Sequence, residues 1–361
     1  YKKLGIQLDY NHDFAGFEST VSNIMGAPVI GVMPFVRPFA WFKSNEVLSS
    51  VSIGVTLVTD TAAPVRAQRD YAEFSDFPKL QSGPTGAPSN YYLRFPHGKP
   101  IVDEYNNLVT DTTGLYVYGI DAHIKVLKTK NVDIKPYLDV SHMGDGGNGI
   151  TAGVQWRFTF GEKLKSFFNI RTDFRAFDPN YEMSYFDSFY EVQKYQYLIP
   201  NRSDFNYARG YYPTKYEEVL SRRGDMRYGY YLEFNYELGK WLGIGFSIND
   251  ASTGGLSTLA LDGDQNPITS GNGNFQAHLA LPLPYFFSFH GTYHKVGFQD
   301  YADIFNFSGS NALFLATARF RPFNLIGIYA GLQEAWELDS WTGLYELVPA
   351  IQAGLDISYE F

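Results

Sequence analysis

The sequence lacks cysteine, long apolar runs and helical periodicity, and each absence excludes a class of protein. With no cysteine in its 361 residues, the chain has no disulfide bond and no thiolate metal site. No apolar run approaches the roughly 18 residues of a transmembrane helix, and 3.6-residue repeats are scarce. The chain has 29 Lys and Arg residues against 38 Asp and Glu residues. Because this balance is acidic, we expect no nucleic-acid partner. We also predict no cofactor and no resident metal.

Alternation with a period of two fills the chain instead. The clearest stretch is MRYGYYLEFNYEL at 226–238, where the even positions are apolar or aromatic and the odd positions mostly polar, charged or glycine. Such alternation predicts β-strands with one apolar face. We count about fourteen strands of about 10–14 residues, longer than the ~5–6 typical of soluble sheets and enough to cross a bilayer.

The predicted connections are of two alternating kinds. Short ones lie at 43–46, 128–131, 161–165, 239–241, 283–285 and 321–324. The intervening ones, several of them long, lie at 12–28, 61–112, 144–148, 178–224, 253–273, 299–310 and 339–344. Outer-membrane β-barrels have this asymmetry between periplasmic turns and extracellular loops. An even strand number then predicts that both chain ends lie on the periplasmic side.

A soluble β-sandwich or jelly roll is the alternative, because its strands also alternate. Two features favour the membrane barrel. The polar register mixes Gly, Ser, Thr, Asn and Gln with charges of both signs, as expected of a water-filled or packed lumen. Aromatic residues also cluster towards strand ends, where interfacial girdles lie. They are Trp41, Phe42, Phe160, Trp241, Phe320, Phe323, Trp336, Trp341 and Tyr359.

The chain ends QAGLDISYEF, with Tyr359 and Phe361 in the apolar register. This ending resembles the terminal assembly signal of bacterial outer-membrane β-barrel proteins, although Asp356 stands where that signal usually has glycine. The resemblance implies recognition by the barrel-assembly machinery through edge pairing, and an outer membrane with a lipopolysaccharide outer leaflet. The chain does not open with a charged segment followed by an apolar one, so we expect any export signal to be missing from this sequence.

The predicted fold is therefore all-β. Residues 1–361 are expected to form one domain, a closed antiparallel transmembrane β-barrel of about fourteen strands with short periplasmic turns and long extracellular loops.

Function has to come from the inward, polar register. Its candidate lumen or constriction residues are Lys135, Arg157, Arg171, Arg175, Glu233, Glu237 and Asp356. Pairing across the turn at 161–165 predicts Arg157 opposite Asn169 or Arg171, since cross-strand neighbours lie ~5 Å apart. Opposed basic and acidic walls suit a pore that orients polar solutes. The alternative is a salt-bridged lumen filling with Arg171 and Glu233 as one pair.

Histidines supply a further candidate site. His278 and His290 share the inward register, and a turn near Pro284 predicts that they lie almost directly opposite each other. Such a pair can bind a metal or titrate near neutral pH, whereas ordinary hydrogen bonding is the commoner role. We predict that the protein is not an enzyme. The adjacent Ser141 and His142 point to opposite faces of a strand and cannot act together.

Two predicted external loops, at about 61–112 and 178–224, are long enough to carry function. The second is rich in tyrosine, which supplies rigid contact area. We consider three roles for such loops: a constriction inside the barrel, a lid over it, or binding of a sugar, a surface polymer or an envelope protein. Residues 216–223, YEEVLSRR, are predicted to form a short helix.

The predicted function is passive or facilitated passage of small polar solutes across the outer membrane. The first alternative is a non-conducting barrel that docks proteins of an envelope complex, which a single-channel recording would distinguish. The second alternative is a transporter of hydrophobic ligands, which requires an apolar pocket among the loops and lateral access to lipid.

Overall fold

A computed structural model describes the chain mainly as antiparallel β-strands. The described residues are 6–22, 29–70, 99–104, 108–161, 165–186, 190–195, 214–239, 241–251, 256–261, 267–269, 273–282, 286–298, 301–307, 312–322, 326–338 and 345–357.

The strands of the first half are β1 (Ile6–Asn11), β2 (Ala15–Val21), β3 (Val29–Val36), β4 (Ser52–Ala67), β5 (Arg69–Asp70), β6 (Lys99–Pro100), β7 (Thr110–His123), β8 (Leu127–Lys128), β9 (Val132–Met143), β10 (Asn148–Phe160) and β11 (Ser166–Phe177). Those of the second half are β12 (Arg227–Leu238), β13 (Leu242–Ala251), β14 (Leu256–Leu261), β15 (Pro267–Thr269), β16 (Gly273–Pro282), β17 (Phe287–Phe298), β18 (Ala312–Phe320), β19 (Ile326–Leu338) and β20 (Tyr345–Ile357). The helices are α1 (Glu46–Ser49), α2 (Tyr190–Gln193), α3 (Lys215–Ser221) and a 3₁₀ helix (Tyr301–Phe305). Within the described ranges, no helix has the length and apolar character needed to cross a membrane.

One sheet of sixteen strands runs through the described residues. Its path is β1-β2-β3-β4-β7-β9-β10-β11-β12-β13-β16-β17-β18-β19-β20, with β8 pairing beside β9. Neighbours along this path are antiparallel, as between β10 and β11. Connections 68–109 and 178–226 leave the sheet at one end, which we call the loop end. The opposite end, with the shorter turns, is the turn end.

The prediction of fourteen strands is wrong, because the stretch 12–28 contains a strand. β2 pairs with β1 on one side and with β3 on the other. Its outward register contains Ala15 and Ser19 beside Phe17 and Val21, too few large apolar residues for the alternation to identify it. Fifteen strands thus follow one another along the path. β1 therefore begins at the loop end and β20 finishes at the turn end, contrary to the prediction of two ends on one side.

The sheet has an apolar outer face and a mostly polar inner face. Aliphatic residues occupy the middle of the outer face, as where Ile120, 59% exposed, lies opposite Val55. Exposed aromatic residues form a belt at each end of it. The turn-end belt contains Phe39, Trp41, Phe42, Phe160, Trp241, Phe286 and Phe287, and the loop-end belt contains Tyr116, Tyr118, Phe174, Tyr228, Tyr230, Tyr301 and Phe307. An aliphatic band between two aromatic belts is the surface that a bilayer selects.

Replacing Val55, opposite Ile120 in the middle of the outer face, by arginine should destabilise the protein in lipid by about 2–4 kcal/mol, because a charge facing hydrocarbon must be desolvated. The matched control is Thr56→Arg, which starts from the inner face one residue away. Urea unfolding in phospholipid vesicles measures both free energies. Equal losses for the two variants would contradict the assignment of the faces.

Candidate functional site

The described residues between β11 and β12 pack against the inner face of the sheet. We call these residues, 178–186, 190–195 and 214–224, the plug segment. Its buried members Tyr181, Tyr185, Tyr190 and Val219 form one apolar cluster with side chains of four strands. Those strand residues are Ala63, Leu115, Met143 and Phe177. Burying each such side chain contributes roughly 1.5–3 kcal/mol, so the plug segment is held as a packed body.

Helix α3 is fixed to β4 at its first turn. The Thr214 hydroxyl accepts a hydrogen bond from the amide of Glu217 at 3.1 Å and donates one to the carbonyl of Val65 at 2.7 Å. Glu217 also pairs with Arg66 at 3.2 Å. An N-cap of this kind contributes ~1 kcal/mol. The short helix predicted at 216–223 is confirmed, with its bounds shifted by one or two residues.

Asp60 anchors the plug segment to the same strand. Its buried carboxylate accepts a hydrogen bond from the Tyr190 hydroxyl at 2.8 Å. The ammonium of Lys194 lies 3.5 Å from the same Oδ2 atom, and the Lys194 side chain is only 4% exposed. Removing one partner of a buried ion pair costs ~3–5 kcal/mol, because the other charge stays buried.

Lys215 connects the two helices of the plug segment. Its ammonium donates to the carbonyl of Tyr185 at 2.7 Å and to Oε1 of Gln193 at 3.1 Å. It also lies over the rings of Tyr185 and Tyr190, at 5.1 and 5.8 Å from their centroids. A desolvated ammonium gains from such ring contacts, so this cation stabilises the arrangement of α2 and α3.

Glu182 and Arg222 join the beginning and the end of the plug segment. Nη1 of Arg222 lies 2.5 Å from Oε2 of Glu182, and its Nε lies 3.7 Å from Oε1 of Glu218. Burial opposes ionisation of Glu182, but the guanidinium groups of Arg222 and Arg227 hold its pKa below the ordinary value.

The inner wall beside the plug segment carries a second group of paired charges. The carboxylate of Asp173 on β11 accepts from Arg171 and Arg175, each at 3.1 Å, and from the hydroxyl of Tyr137. The two guanidinium groups lie 5.2 and 4.1 Å from the ring centroid of Tyr231. One carboxylate therefore holds two guanidinium groups, while Nε and Nη1 of Arg175 have no hydrogen-bond partner among the described residues.

The predicted lumen residues on β9 to β12 all lie in the inner register. Arg171 is directly opposite Glu233. The ion pair of Arg171 is nevertheless with Asp173, two residues along its own strand. Glu233 instead accepts hydrogen bonds from Tyr231 at 2.9 Å and Asn235 at 2.5 Å.

The remaining predicted residues lie away from this group. Arg157 is opposite Asn169 and stacks on the ring of Phe167 at 4.4 Å. Lys135 is opposite Gln155, Glu237 is exposed near the turn end, and Asp356 is opposite Gly327. Tyr359 and Phe361, the predicted assembly signal, lie outside the described residues.

The predicted alignment of His278 with His290 is wrong by two residues. His278 lies opposite Thr292, and His290 lies opposite Ala280. The pairing is centred on residue 285 instead of Pro284, and a shift of one residue at a turn moves every cross-strand partner by two. Among the described residues, no group of three or more His, Asp or Glu side chains lies close enough together to hold a metal ion.

Ser141 and His142 point to opposite faces of β9, as predicted. The Ser141 hydroxyl is 2.6 Å from the hydroxyl of Tyr181 in the plug segment. The ring of His142 lies 5.2 Å from that of Tyr118 in the loop-end belt. The pair therefore has no geometry for nucleophilic catalysis.

An apolar groove of about 690 Å³ crosses the outer face from β13 to β19. Its lining includes Phe246, Phe275 and Phe314 around the small residues Ala277 and Gly291. It lies in the aliphatic band that faces lipid, not among the loops.

The residues that hold the plug segment were missed by the sequence analysis. They are Asp60, Glu182, Lys194, Lys215 and Arg222. The Tyr190–Asp60 bond joins positions 130 apart in the chain, and no periodicity relates a loop residue to a strand that distant. The only available signal was the concentration of tyrosine in 178–224.

No protein-family model and no curated protein matches the chain. Solved structures similar to it include OccK11 (OpdR) of Pseudomonas aeruginosa, at 8% identity over 98% of this chain and 79% of that chain, with a TM-score of 0.37. OccK8 (OprE) of the same organism is 9% identical over 98% of this chain and 77% of that one, with a TM-score of 0.35. The siderophore receptor PiuA of Acinetobacter baumannii is 11% identical over 99% of this chain and 59% of that chain, with a TM-score of 0.37.

The two-faced sheet itself identifies the class of protein. Long strands in sequential antiparallel order, an aliphatic outer band and two aromatic belts are the features of transmembrane β-barrels. The predicted all-β, two-faced architecture is confirmed, placement in the bacterial outer membrane stays a prediction, and no narrower family is identified.

Acid should loosen the plug segment only below the ordinary pKa of glutamate. The pKa of Glu182 is lowered from 4.5, so its ion pair contributes fully above that pH and is lost as the pH falls through the lower folded-state value. A nitroxide at Ser184→Cys, in a chain without other cysteines, reports segment mobility by EPR. We expect an immobilised spectrum from neutral pH to about pH 5 and rising mobility below it.

The control is Glu182→Gln, which should raise mobility at every pH and remove the acid transition. A transition of unchanged midpoint in that variant would contradict the role given to Glu182.

Proposed function

We propose that the chain forms a closed barrel that passes small polar solutes through a lumen narrowed by the plug segment. The observation that carries the proposal is the position of the plug segment, packed on the polar inner face while the opposite face suits lipid. A polar interior supports passage of polar solutes, and a packed constriction limits their size.

The contacts of α2 support closure of the sheet. Tyr190 in α2 bonds Asp60 on β4, and α2 also contacts β19. These strands are ten places apart in the sheet order, which in a flat sheet would separate them by ~48 Å. A helix of four residues spans only ~6 Å, so the sheet curls around it. β1 and β20 run in the same direction, so a parallel pairing between them would remove the remaining edges, which lipid leaves unsatisfied.

The plug segment favours restricted conduction over an open pore. It contacts inner-face residues of β4, β7, β9 and β11 through its apolar cluster. It also borders a cavity with residues of β12, β13, β16 and β17. A segment that meets the wall on so many sides leaves only a narrow route, which suits facilitated or slow passage of small solutes.

Releasing the plug segment should increase conductance. Val219→Asp places a carboxylate at a fully buried position of the cluster, and an unpaired buried charge costs several kcal/mol, on the order of 3–5. The matched control Arg223→Asp introduces the same side chain at an exposed position four residues further along. Single-channel recording in planar bilayers measures both variants and the unaltered protein.

We expect small steady currents from the unaltered protein and from Arg223→Asp, and larger currents from Val219→Asp. Silence of all three would overturn the proposal and support a non-conducting barrel that docks envelope proteins. Equal currents from all three would show that the plug segment does not narrow the route.

A further inference from the structure

The inner wall has a charged part and an uncharged part. Charges on β9 to β12 include the paired group of Asp173, Arg171 and Arg175. The inner register of β13, β16 and β17, between 243 and 296, contains no Asp, Glu, Lys or Arg. We call its polar members the neutral lane: Ser247, Asn249, Asn274, Gln276, His278, His290, Thr292 and His294.

A small cavity separates the plug segment from the neutral lane. Its volume is about 80 Å³. The lane contributes hydroxyl, amide and imidazole groups, among them Ser247, Asn249 and Gln276, and Tyr231 of β12 also borders it. These groups donate and accept hydrogen bonds without a net charge.

The plug side of the cavity matches this chemistry. Gln193 is 1% exposed and borders the cavity, and its Nε2 atom has no hydrogen-bond partner among the described residues. A buried amide hydrogen without a partner is destabilising, and a solute hydroxyl that accepts from it would relieve that cost. The two charged residues at the cavity are already engaged, Glu182 with Arg222 and Lys215 with Tyr185.

Resting on the proposed function, we infer that the solute route runs between Gln193 and the neutral lane and selects small uncharged polyhydroxy compounds. A polyol that enters the lane replaces its hydrogen bonds to water with hydrogen bonds to the amide and hydroxyl groups of the lane. A charged solute would lose hydration there without meeting a free counter-charge. The charges of the adjoining strands β11 and β12 are already engaged, Asp173 with Arg171 and Arg175, and Glu233 with Tyr231 and Asn235.

The test is uptake into proteoliposomes of three four-carbon probes: erythritol, erythronate, and protonated 2-amino-2-methyl-1,3-propanediol. Protein-free vesicles give the background. We expect erythritol to enter about tenfold faster than either ion. Comparable rates for the ions would overturn the inferred selectivity while leaving the pore intact. Uptake of none of the three would overturn the proposed function and this inference with it.

Two variants locate the route. Ser247→Phe should reduce erythritol uptake severalfold, whereas Thr56→Phe, on the inner face of β4 outside the lane, should leave it unchanged. Each variant is first checked for folding by its migration without heating on a denaturing gel. Equal reduction by both would overturn the placement of the route.

A third variant, Gln193→Glu, keeps the test informative if Ser247→Phe fails to fold, because the two side chains at position 193 are nearly isosteric. Gln193→Glu should raise uptake of the cation relative to uptake of erythronate. An unchanged ratio would contradict the position given to Gln193.

Discussion

In hydrocarbon no water is present to satisfy backbone N–H and C=O groups, and this constraint governs the rest of the molecule. It requires strands to pair with their neighbours, and every strand of the sequential antiparallel path between β1 and β20 does so on both sides. With the backbone satisfied, side chains divide by face. Aliphatic and aromatic residues meet lipid, so polar and charged residues remain for the interior, where the functional chemistry has to lie.

The interior is specified by the plug segment more than by the strands. Ordering such a long loop costs conformational entropy. The apolar cluster around Val219, the Asp60–Lys194 pair and the Lys215 contacts together oppose that cost. Buried ion pairs add little net stability over apolar packing, but they penalise any arrangement in which one partner is lost. The plug segment is thereby held in one position against the wall.

The pairing of charges also decides what the lumen offers to a solute. Arg171 and Arg175 were reasonable candidates for an ion-selective wall, and both lie inward. Their shared partner Asp173 holds both guanidinium groups against β11, and the uncharged amides and hydroxyls of β13, β16 and β17 provide a separate hydrogen-bonding surface.

Period-two alternation by itself determined the all-β class and the ends of most strands. It also determined whether residues such as Arg157 and Glu233 point inward or outward. The physical reason is that every strand has one face towards lipid and the other towards the interior. The alternation failed to identify β2, because Ala15 and Ser19 weaken its apolar register. It also misplaced the turn before β17 by one residue, and this difference separates His290 from His278. Only the tertiary structure decided that the plug segment packs inward and that Asp173 pairs with both arginines. These contacts join residues that are far apart in the chain. The sequence around a residue does not show which distant residue folding will bring next to it.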